Sequence, residues 1–583
     1  MIPGLCEYYT LPKFKRGDVV ATAKFDELVS KYGHLFVRHL AKSLPIKQGK
    51  IQYLRLLTSQ EVQDRYLADT TKDANSGWPV FASKLDRDAF AEAIASNDRH
   101  DISIKGQRYQ RGKLRAIFMA AFRDMLLDQA ILYPLMDYFQ EAAWNDLEEF
   151  SMWNGPMAVG YAVAKWNSAI NGMKCFVQID VKSMDKYVNE VHGDFVANVV
   201  SSLFGAGKGT AEYEFISDSI HRSFTDRLIL DPALTITQTP HSLFSGKPWT
   251  QMVETVLADF LLFCATQAVT YLPPIVPGAK KQRSIKRLDG MGRCHIDVVG
   301  DDSNLGFSVP GTQCEFFAPW HDGPSDIKTI IVELYAIAGL VCEPSKCDVT
   351  YNAFSYCKRL YRVGTTTTWQ DKEKLHLPNP VDIWAPIYPC SLALNSILNP
   401  EKVPENVSLS YDVTRTAQIL DACIYNPYWD QLSMLVKKGQ SARATEFDPT
   451  VSFKLAEMSV WTGQDDWDPA TSPSLKRLLA EGITANTSSR LGSVKTAYQM
   501  LRYGLWFFNI TTHSALNTML TFDPINGYDK LIDSTGNLIT CDFGFPDTAM
   551  YKKEGAIIDV ITGETSRTSS ESSDIQVEML INF

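Results

Sequence analysis

The chain has 583 residues, of which 45% are hydrophobic and 21% are charged, and its 57 basic and 67 acidic residues give a net charge of −10. An apolar share of this size excludes wholesale disorder and a fibrous repeat. The acidic balance argues against a protein that coats nucleic acid through its overall charge, but it is compatible with a local basic channel.

The length and the cysteines set further bounds. At about 150 residues per domain, the length predicts roughly three to four domains or subdomains. The 11 cysteines include no CxxC pair, so they are predicted to be reduced thiols of the core rather than metal ligands. Residues 1–5 contain no basic segment followed by an apolar one, so we expect no secretory signal and a protein that stays in the cytosol.

The first predicted elements in chain order are helices and a strand. A mixed apolar and acidic pattern over 124–149 indicates helices, and the short apolar run 175–179 is typical of a strand, with Asp180 at its end. Residues 249–268 have a helical pattern. Two acidic residues interrupt the longest apolar stretch, 253–277, so we predict a buried helix there rather than a membrane span.

A hairpin is predicted next. Residues 295–299 have the composition of a strand that runs directly into Gly300-Asp301-Asp302, and 305–309 has that of its partner, so the acids lie at the turn. After this hairpin, an amphipathic helix is predicted over 327–340.

The pattern changes after Gly364 and becomes mostly helical. The clearest helix, 474–481, is bounded by an N-cap, a proline at its first position and a glycine after its end, and a longer one is predicted over 494–508. We therefore place a boundary near residues 362–370, between a mixed α+β body and a helical C-terminal part.

Carboxylates lie at the ends of the predicted strands. Asp180 ends the first strand, Asp185 follows five residues later, and Asp301 and Asp302 occupy the turn. Nucleotide transfer requires Mg²⁺ held by a few carboxylates, with the other coordination positions left for phosphate oxygens and water. A hairpin beside the first strand would bring Asp301 near Asp180, where two metal ions about 4 Å apart would fit. By itself a Gly-Asp-Asp sequence favours a solvated turn, so the context of the surrounding motifs must decide between a solvated turn and a metal-binding site.

That context is the stretch Ser-Gly-Lys-Pro-Trp-Thr at 245–250, which lies at a loop-to-helix junction between the acid clusters. The order DxxxxD, SGxxxT, GDD resembles motifs A, B and C of viral RNA-dependent RNA polymerases. The resemblance implies an α+β right-hand polymerase fold with fingers, a palm of antiparallel sheet plus helices, and a mainly helical thumb. It implies template-directed RNA synthesis as the activity.

Two upstream segments resemble further motifs of this family. Residues 75–79 resemble the motif G loop, which guides the template, and 108–117 resemble motif F, whose Gly-Lys-x-Arg core lines the nucleotide entry path. Between 105 and 115 five residues are basic and none is acidic, which suits a triphosphate and its pyrophosphate product. Alone, this stretch would favour a solvated basic loop.

Two downstream segments complete the series. Residues 341–346 resemble motif D, in which Lys346 is the candidate proton donor to pyrophosphate, and 354–359 resemble motif E, the palm-to-thumb hairpin that grips the primer strand. Motifs D and E are loose patterns. Together, seven elements in the expected order span about residues 75–360, which excludes chance coincidence.

The resemblance also addresses substrate choice. It implies that Asp185 hydrogen-bonds the ribose 2′-hydroxyl with Ser245 beside it, whereas reverse transcriptases place a bulky residue there. Many positive-strand virus polymerases have asparagine where this chain has Glu254; an acid resembles the picobirnavirus and partitivirus group, in which aspartate is usual. Whether the longer glutamate contacts Asp185 or ribose stays open, because two close carboxylates repel unless one is protonated or a cation bridges them.

The picobirnavirus polymerases are the first choice and those of partitiviruses the second. Residues 3–5 and 8–12 are faintly similar to the start of picobirnavirus polymerases, and this similarity serves only to rank the groups. The A, B, C order excludes the permuted arrangement of birnavirus-type enzymes.

The resemblance assigns a role to each motif residue. Catalytic residues are Asp180, Asp301, Asp302 and Lys346, of which the three aspartates bind Mg²⁺ or Mn²⁺. Nucleotide-binding residues are Lys113, Arg115, Asp185, Ser245, Thr250 and Glu254. RNA-binding residues are Ser76, Gly77, Arg108, Arg111, Gly246, Lys358 and Arg359. The expected partners are single- and double-stranded RNA and ribonucleoside triphosphates, with capsid protein as a candidate and no membrane; the expected locations are the virion interior and the host-cell cytoplasm.

The implied domain boundaries follow the motifs. They are 1–170 for the N-terminal region and fingers, 171–190 for the palm with motif A, 191–240 for a fingers insertion, 241–362 for the palm with motifs B to E, 363–564 for the thumb, and 565–583 for a C-terminal tail.

Two segments and two other functions stay open. The basic stretch 280–287 either contacts RNA phosphates or is a solvated loop, and the tail from Thr565 is either a plug of the product channel or a free tail. A reverse transcriptase is disfavoured by Asp185 and by the glycine before Asp301. A catalytically silent RNA-binding or capsid-associated protein on the same fold is disfavoured because all catalytic acids are present.

Overall fold

The computed structural model describes a large part of the chain. The described residues are 19–68, 86–95, 102–110, 113–224, 227–230, 236–239, 243, 247–274, 284–289, 294–343, 347–369, 380–389, 392–393, 417–429, 556–558 and 565–567. The predicted helices over 474–481 and 494–508 lie outside these residues.

Helices and short strands alternate along the chain. The helices are α1 (Val19–Leu40), α2 (Ser59–Ala68), α3 (Arg87–Ala95), α4 (Phe122–Ala142), α5 (Pro156–Ala169), α6 (Met184–Tyr187), α7 (Glu190–Leu203), α8 (Ala211–His221), α9 (Pro248–Ala268) and α10 (Ile327–Ile337). The strands are β1 (Ile46–Lys47), β2 (Lys50–Ile51), β3 (Ile102–Gln110), β4 (Lys113–Met119), β5 (Met173–Asp180), β6 (Arg227–Leu230), β7 (Ile236–Thr239), β8 (Thr270–Leu272), β9 (Lys286–Arg287), β10 (His295–Val299), β11 (Asp302–Val309), β12 (Glu315–Phe317), β13 (Asp348–Tyr351), β14 (Ala353–Tyr356), β15 (Arg359–Arg362), β16 (Thr366–Trp369), β17 (Val381–Trp384), β18 (Ala556–Ile558) and β19 (Thr565–Arg567).

A four-stranded antiparallel sheet forms the centre of the fold, with the strand order β10-β11-β5-β13. The residues of β5 between its first and last are all buried, as expected for a central strand that is covered on both faces. The predicted strand over 175–179 and the predicted hairpin over 295–309 are both confirmed, and β5 extends the strand at both ends.

Helix α9 is the buried helix of the core. Its first residue is Pro248, a position at which proline's fixed φ fits and its missing N–H costs nothing. Its aromatic side chains pack against helices α7 and α1, and the ring centroids of Phe195 and Phe260 are 4.4 Å apart and those of Phe36 and Phe260 5.4 Å apart. The predicted helix over 249–268 is therefore confirmed. The described residues contain no helix that is long and apolar enough to span a membrane.

The residues after Gly364 begin with strands. β16 and β17 form an antiparallel pair, and β17 packs against α5. This packing requires a glycine, because a Cβ atom on Gly160 would lie 2.2 Å from the carbonyl oxygen of Trp384. The described residues 366–369 and 381–384 are thus strands, although the sequence predicted mostly helices after Gly364.

The described residues divide into two compact units. The first contains the described residues up to Trp384, except for 108–115 and 357–361. The second contains those two segments and the described residues from Ala385 on. The implied domain boundaries stay predictions, and the strand pair β16–β17 groups with the first unit.

The described cysteines match their predicted state. Eight of them remain thiols outside any disulfide, and five of those eight are buried. One of the buried five, Cys175, lies on the central strand β5, and burial raises the pKa of its thiol to about 12. A buried neutral thiol behaves as a small apolar side chain, so the five buried cysteines fill the core.

The start of α7 is predicted to be sensitive to pH. The backbone N–H of Asn189 donates to His192 Nδ1 over 3.1 Å, and His192 Nε2 donates to the carbonyl of Ala338 over 2.7 Å. Burial lowers the pKa of His192 to about 4 from its ordinary value of 6.5. The folded protein therefore resists a proton that the unfolded chain accepts, and the contribution of His192 to stability is present above pH 6.5 and lost as the pH falls towards 4, by about 3 kcal/mol.

We expect His192→Gln to be less stable than the parent at pH 7 and to lose less stability between pH 6.5 and 4. Thermal unfolding of both proteins across this range measures the difference. An identical pH dependence in the two proteins would contradict the assignment.

Candidate active site

The carboxylates meet at one end of the central sheet. Asp180 is the last residue of β5 and Asp302 the first of β11, and the ladder makes them direct Cα partners. Direct partners in an antiparallel pair have Cα atoms about 4.5–5.5 Å apart. Asp301 precedes Asp302 in the turn between β10 and β11 and is exposed. The register thus places Asp302 opposite Asp180, with Asp301 next to it in the turn.

Helix α9 holds this turn in place. Gly300 has a left-handed backbone with φ 58°, a conformation that glycine adopts without strain. Its N–H donates to the Thr255 hydroxyl over 2.7 Å. A Cβ atom on Gly300 would lie 3.7 Å from Glu254 Oε2. Thr255 is a site residue that the sequence analysis missed, and the only signal for it was its place beside Glu254.

The chain after β5 reverses through a strained residue. Ser183 has φ 52°, which is uncommon for a residue with a side chain. The short helix α6 follows and carries Asp185, whose carbonyl accepts a hydrogen bond from the N–H of Leu243 over 3.0 Å. This bond links Asp185 to the chain two residues before Ser245.

Glu254 lies within the field of the site's acids. It is buried on α9, and burial raises the pKa of its carboxyl well above the ordinary range. The charges of Asp301 and Asp185 raise this pKa further. The charges of Asp301 and Asp185 therefore act on Glu254, and its contact with Asp185 or ribose stays open. A site of this charge favours either a proton or a bound cation.

The donor set suits a hard cation. Asp180, Asp301 and Asp302 offer only carboxylate oxygens, the ligands that Mg²⁺ prefers. Within the described part of the chain, no three His, Cys, Asp or Glu residues are already gathered at metal-ligand spacing.

The segment that resembles motif D runs beside Asp180. Val181 and Cys342 form an antiparallel bridge, and the N–H of Glu343 donates to the carbonyl of Asp180 over 3.0 Å. Lys182 Nζ lies 3.8 Å from a Glu343 carboxylate oxygen. The helix predicted over 327–340 is confirmed, although α10 ends three residues earlier.

The segment that resembles motif E contains a tight turn and a buried arginine. Cys357 and Lys358 both have positive φ, 46° and 64°, so they form a tight turn between β14 and β15. Arg359 is buried at 2% exposure, and its guanidinium lies over the ring of Tyr388, 5.2 Å from the centroid. The predicted contact of Arg359 with RNA stays a prediction, and any such contact would require this packed guanidinium to become accessible. Lys358 is only half-buried.

The structure describes some of the remaining predicted site residues and not others. Thr250 lies in the first turn of α9, and its N–H donates to the carbonyl of Lys247 over 3.2 Å. Arg108 lies on β3, and Lys113 and Arg115 lie on β4, all three in the second unit. The predicted residues outside the described part of the chain are Ser76, Gly77, Arg111, Ser245, Gly246 and Lys346.

Two open segments are described in part. Residues 284–287 of the basic stretch are exposed, and their strand β9 pairs with β8. The first residues of the predicted tail form β19, which pairs with β18. Contact with RNA or a solvated loop for the basic stretch, and a channel plug or a free tail for the C-terminal segment, stay open alternatives.

Comparison with known proteins rests on structure. No family model matches the sequence, and no curated protein matches it. The crystal structure of the RNA-dependent RNA polymerase of a human picobirnavirus is similar to this chain, with a TM-score of 0.51 at 16% identity over 82% of this chain and 96% of that one. The structure of an insertion loop deletion mutant of such a polymerase has a TM-score of 0.52 at 15% identity over 82% and 97%.

This likeness identifies the fold. The chain has the α+β right-hand fold of viral RNA-dependent RNA polymerases, as the motif order predicts. The two solved structures come from picobirnavirus enzymes, the group that the sequence ranks first.

Proposed function

We propose that this chain is an RNA-dependent RNA polymerase that replicates and transcribes a viral double-stranded RNA genome. The observation that carries the proposal is the pairing of Asp180 with Asp302 across adjacent strands, with Asp301 in the turn between. On a right-hand polymerase fold, this is where the resemblance to motifs A and C puts the reaction.

The proposed reaction transfers a nucleotide to the growing strand. The 3′-hydroxyl oxygen of that strand attacks the α-phosphorus of a ribonucleoside triphosphate and loses its proton. A new phosphodiester bond forms, the bond between the α- and β-phosphates breaks, and pyrophosphate leaves. Lys346 would give a proton to the pyrophosphate, and Lys113 and Arg115 would neutralise its charge.

The cofactor that we propose for this reaction is Mg²⁺ or Mn²⁺, held by Asp180, Asp301 and Asp302. Bound there, two such ions would stabilise charge on the transferring phosphate and favour ionisation of the 3′-hydroxyl. The support from this chain is the all-oxygen donor set and the concentration of negative charge, since the charges of Asp301 and Asp185 add to the effect of burial in raising the pKa of Glu254.

The proposed substrate preference rests on Asp185. Its carboxylate would accept a hydrogen bond from the ribose 2′-hydroxyl, and Ser245 would assist. The hydrogen bond from the Leu243 N–H to the Asp185 carbonyl supports this assignment, because it joins α6 to the chain two residues before Ser245.

The test is RNA synthesis by the purified full-length chain. Single-stranded RNA, Mg²⁺ and all four ribonucleoside triphosphates, one of them labelled at the α-phosphate, should give labelled product of template length. Product from deoxyribonucleotides alone would instead indicate a reverse transcriptase. Binding of RNA without any labelled product would indicate the catalytically silent alternative. Comparing double-stranded with single-stranded templates then tests transcription separately from replication.

The partners and location are proposed on the same basis. We propose that the chain binds single- and double-stranded RNA and acts in the virion interior and the host-cell cytoplasm, with capsid protein as a candidate partner. Co-sedimentation of the chain with purified particles tests the last of these.

A further inference from the structure

A buried lysine precedes α9 and has no role in the motif series. Lys247 follows Ser245 and Gly246 in the sequence and is 4% exposed. A lysine is seldom buried to this degree unless it is paired. Its burial therefore needs a structural reason.

The reason is a pair of acids on α4. Lys247 Nζ lies 3.5 Å from Asp124 Oδ2, and both side chains are buried. Asp128 lies one helical turn after Asp124 on the same face of α4 and is also buried. Burial raises the pKa of Asp128 to about 6, and the nearby charge of Lys247 acts in the opposite direction. Lys247 thus compensates two buried carboxyl groups.

A third helix joins the same cluster. The Ser219 hydroxyl of α8 donates to Asp128 Oδ1 over 2.6 Å, and the indole N–H of Trp249 donates to the Ser219 oxygen over 2.8 Å. Arg222 Nη2 lies 3.9 Å from the same Asp128 oxygen. Lys247 and Trp249 therefore attach the start of α9 to both α4 and α8.

This attachment lies at the start of the helix that also carries Glu254 and Thr255 of the candidate active site. α9 carries Glu254 about two turns further on, and Glu254 Oε2 would lie 3.7 Å from a Cβ atom on Gly300. The next residue, Thr255, holds the Gly300 turn. A displacement of the start of α9 would therefore also displace Glu254 and Thr255, which lie near the proposed ribose position.

We propose that Lys247 is a positioning residue, whose buried ion pair with Asp124 fixes the start of α9 and so aligns the ribose-selecting side of the nucleotide site. Separating Lys247 from Asp124 would leave buried charges without compensation. This energetic cost holds the start of α9 at the position where the two side chains are paired. The inference rests on the proposed polymerase function for its catalytic consequence. The fixing of α9 is independent of activity.

The test compares Lys247→Met with the parent and with Lys174→Met. Lys174 is an equally buried lysine that donates to the carbonyl of Ile170 and lies over the ring of Trp166, away from this cluster. In Lys247→Met, we expect the preference for ribo- over deoxyribonucleotides, as a ratio of kcat/KM values, to fall about tenfold or more, since small displacements in a site cost large factors in rate. Lys174→Met should lose thermal stability and keep the parent's ratio.

A second readout does not depend on activity. Hydrogen exchange of the amides over 250–255 should become at least about tenfold faster in Lys247→Met and stay unchanged in Lys174→Met. If Lys247→Met does not fold, the double variant Lys247→Met with Asp124→Asn removes both charges together, and it should show the same faster exchange and the same loss of preference.

The outcomes separate the two proposals. Faster exchange together with an inactive parent would support the positioning role while refuting the polymerase function. An active parent whose preference and exchange are both unchanged in the lysine variant, or in the double variant, would overturn the role of Lys247.

Discussion

Asp301→Asn should abolish RNA synthesis by this chain while leaving its fold and its RNA binding intact. Asparagine keeps the shape of the side chain but removes the charge that would hold a metal ion beside Asp180. We expect the rate of labelled nucleotide incorporation to fall at least about a thousandfold, by analogy with the removal of one group that stabilises a charged transition state. Asp301 is exposed, so the substitution should hardly alter thermal stability.

Asp322→Asn is the matched control for this experiment. Asp322 is also an exposed aspartate, outside the candidate site. The control should keep the parent's rate, template affinity and thermal unfolding temperature. Primer extension by Asp301→Asn at a rate near that of the parent would refute the catalytic assignment.

Asp185→Ala should weaken the choice of ribonucleotides over deoxyribonucleotides. A site built to hydrogen-bond a hydroxyl rejects the analogue that lacks it by large factors, because a buried polar group is otherwise left without a partner. Removing the carboxylate removes that penalty. We expect the ratio of kcat/KM for a ribonucleotide to that for its 2′-deoxy analogue to fall by about a hundredfold.

Steady-state incorporation of each nucleotide on one RNA template measures this ratio. Asp218→Ala, which changes an exposed aspartate on α8, is the control and should keep the parent's ratio. If Asp185→Ala slows both nucleotides equally, Asp185 contributes to catalysis or folding and not to the choice of sugar.

Local patterns predicted the elements that carry the site. The apolar run before Asp180, the hairpin around Asp301 and the helix over 249–268 all depend on short-range signals, namely apolar periodicity, a turn and a proline at a helix start. The order of the motifs then predicted the right-hand fold, which the structural comparisons confirm.

Tertiary contacts decided what each side chain faces. Residues far apart in the sequence are brought together by packing, so no local pattern predicted that Thr255 holds the Gly300 turn or that Lys247 meets Asp124. The strand pair β16–β17 was missed for a related reason, because the helix α5 against which it packs lies about two hundred residues earlier.

The acids illustrate the division most clearly. The sequence by itself determined which carboxylates end which strands, because strand ends and turns are local features. Only the tertiary structure decided that Asp302 lies opposite Asp180, that Arg359 is buried, and that Glu254 is buried where the charges of Asp301 and Asp185 act on it. Register, burial and electrostatic environment arise from packing across the whole fold, and these decide the chemistry that each carboxylate can perform.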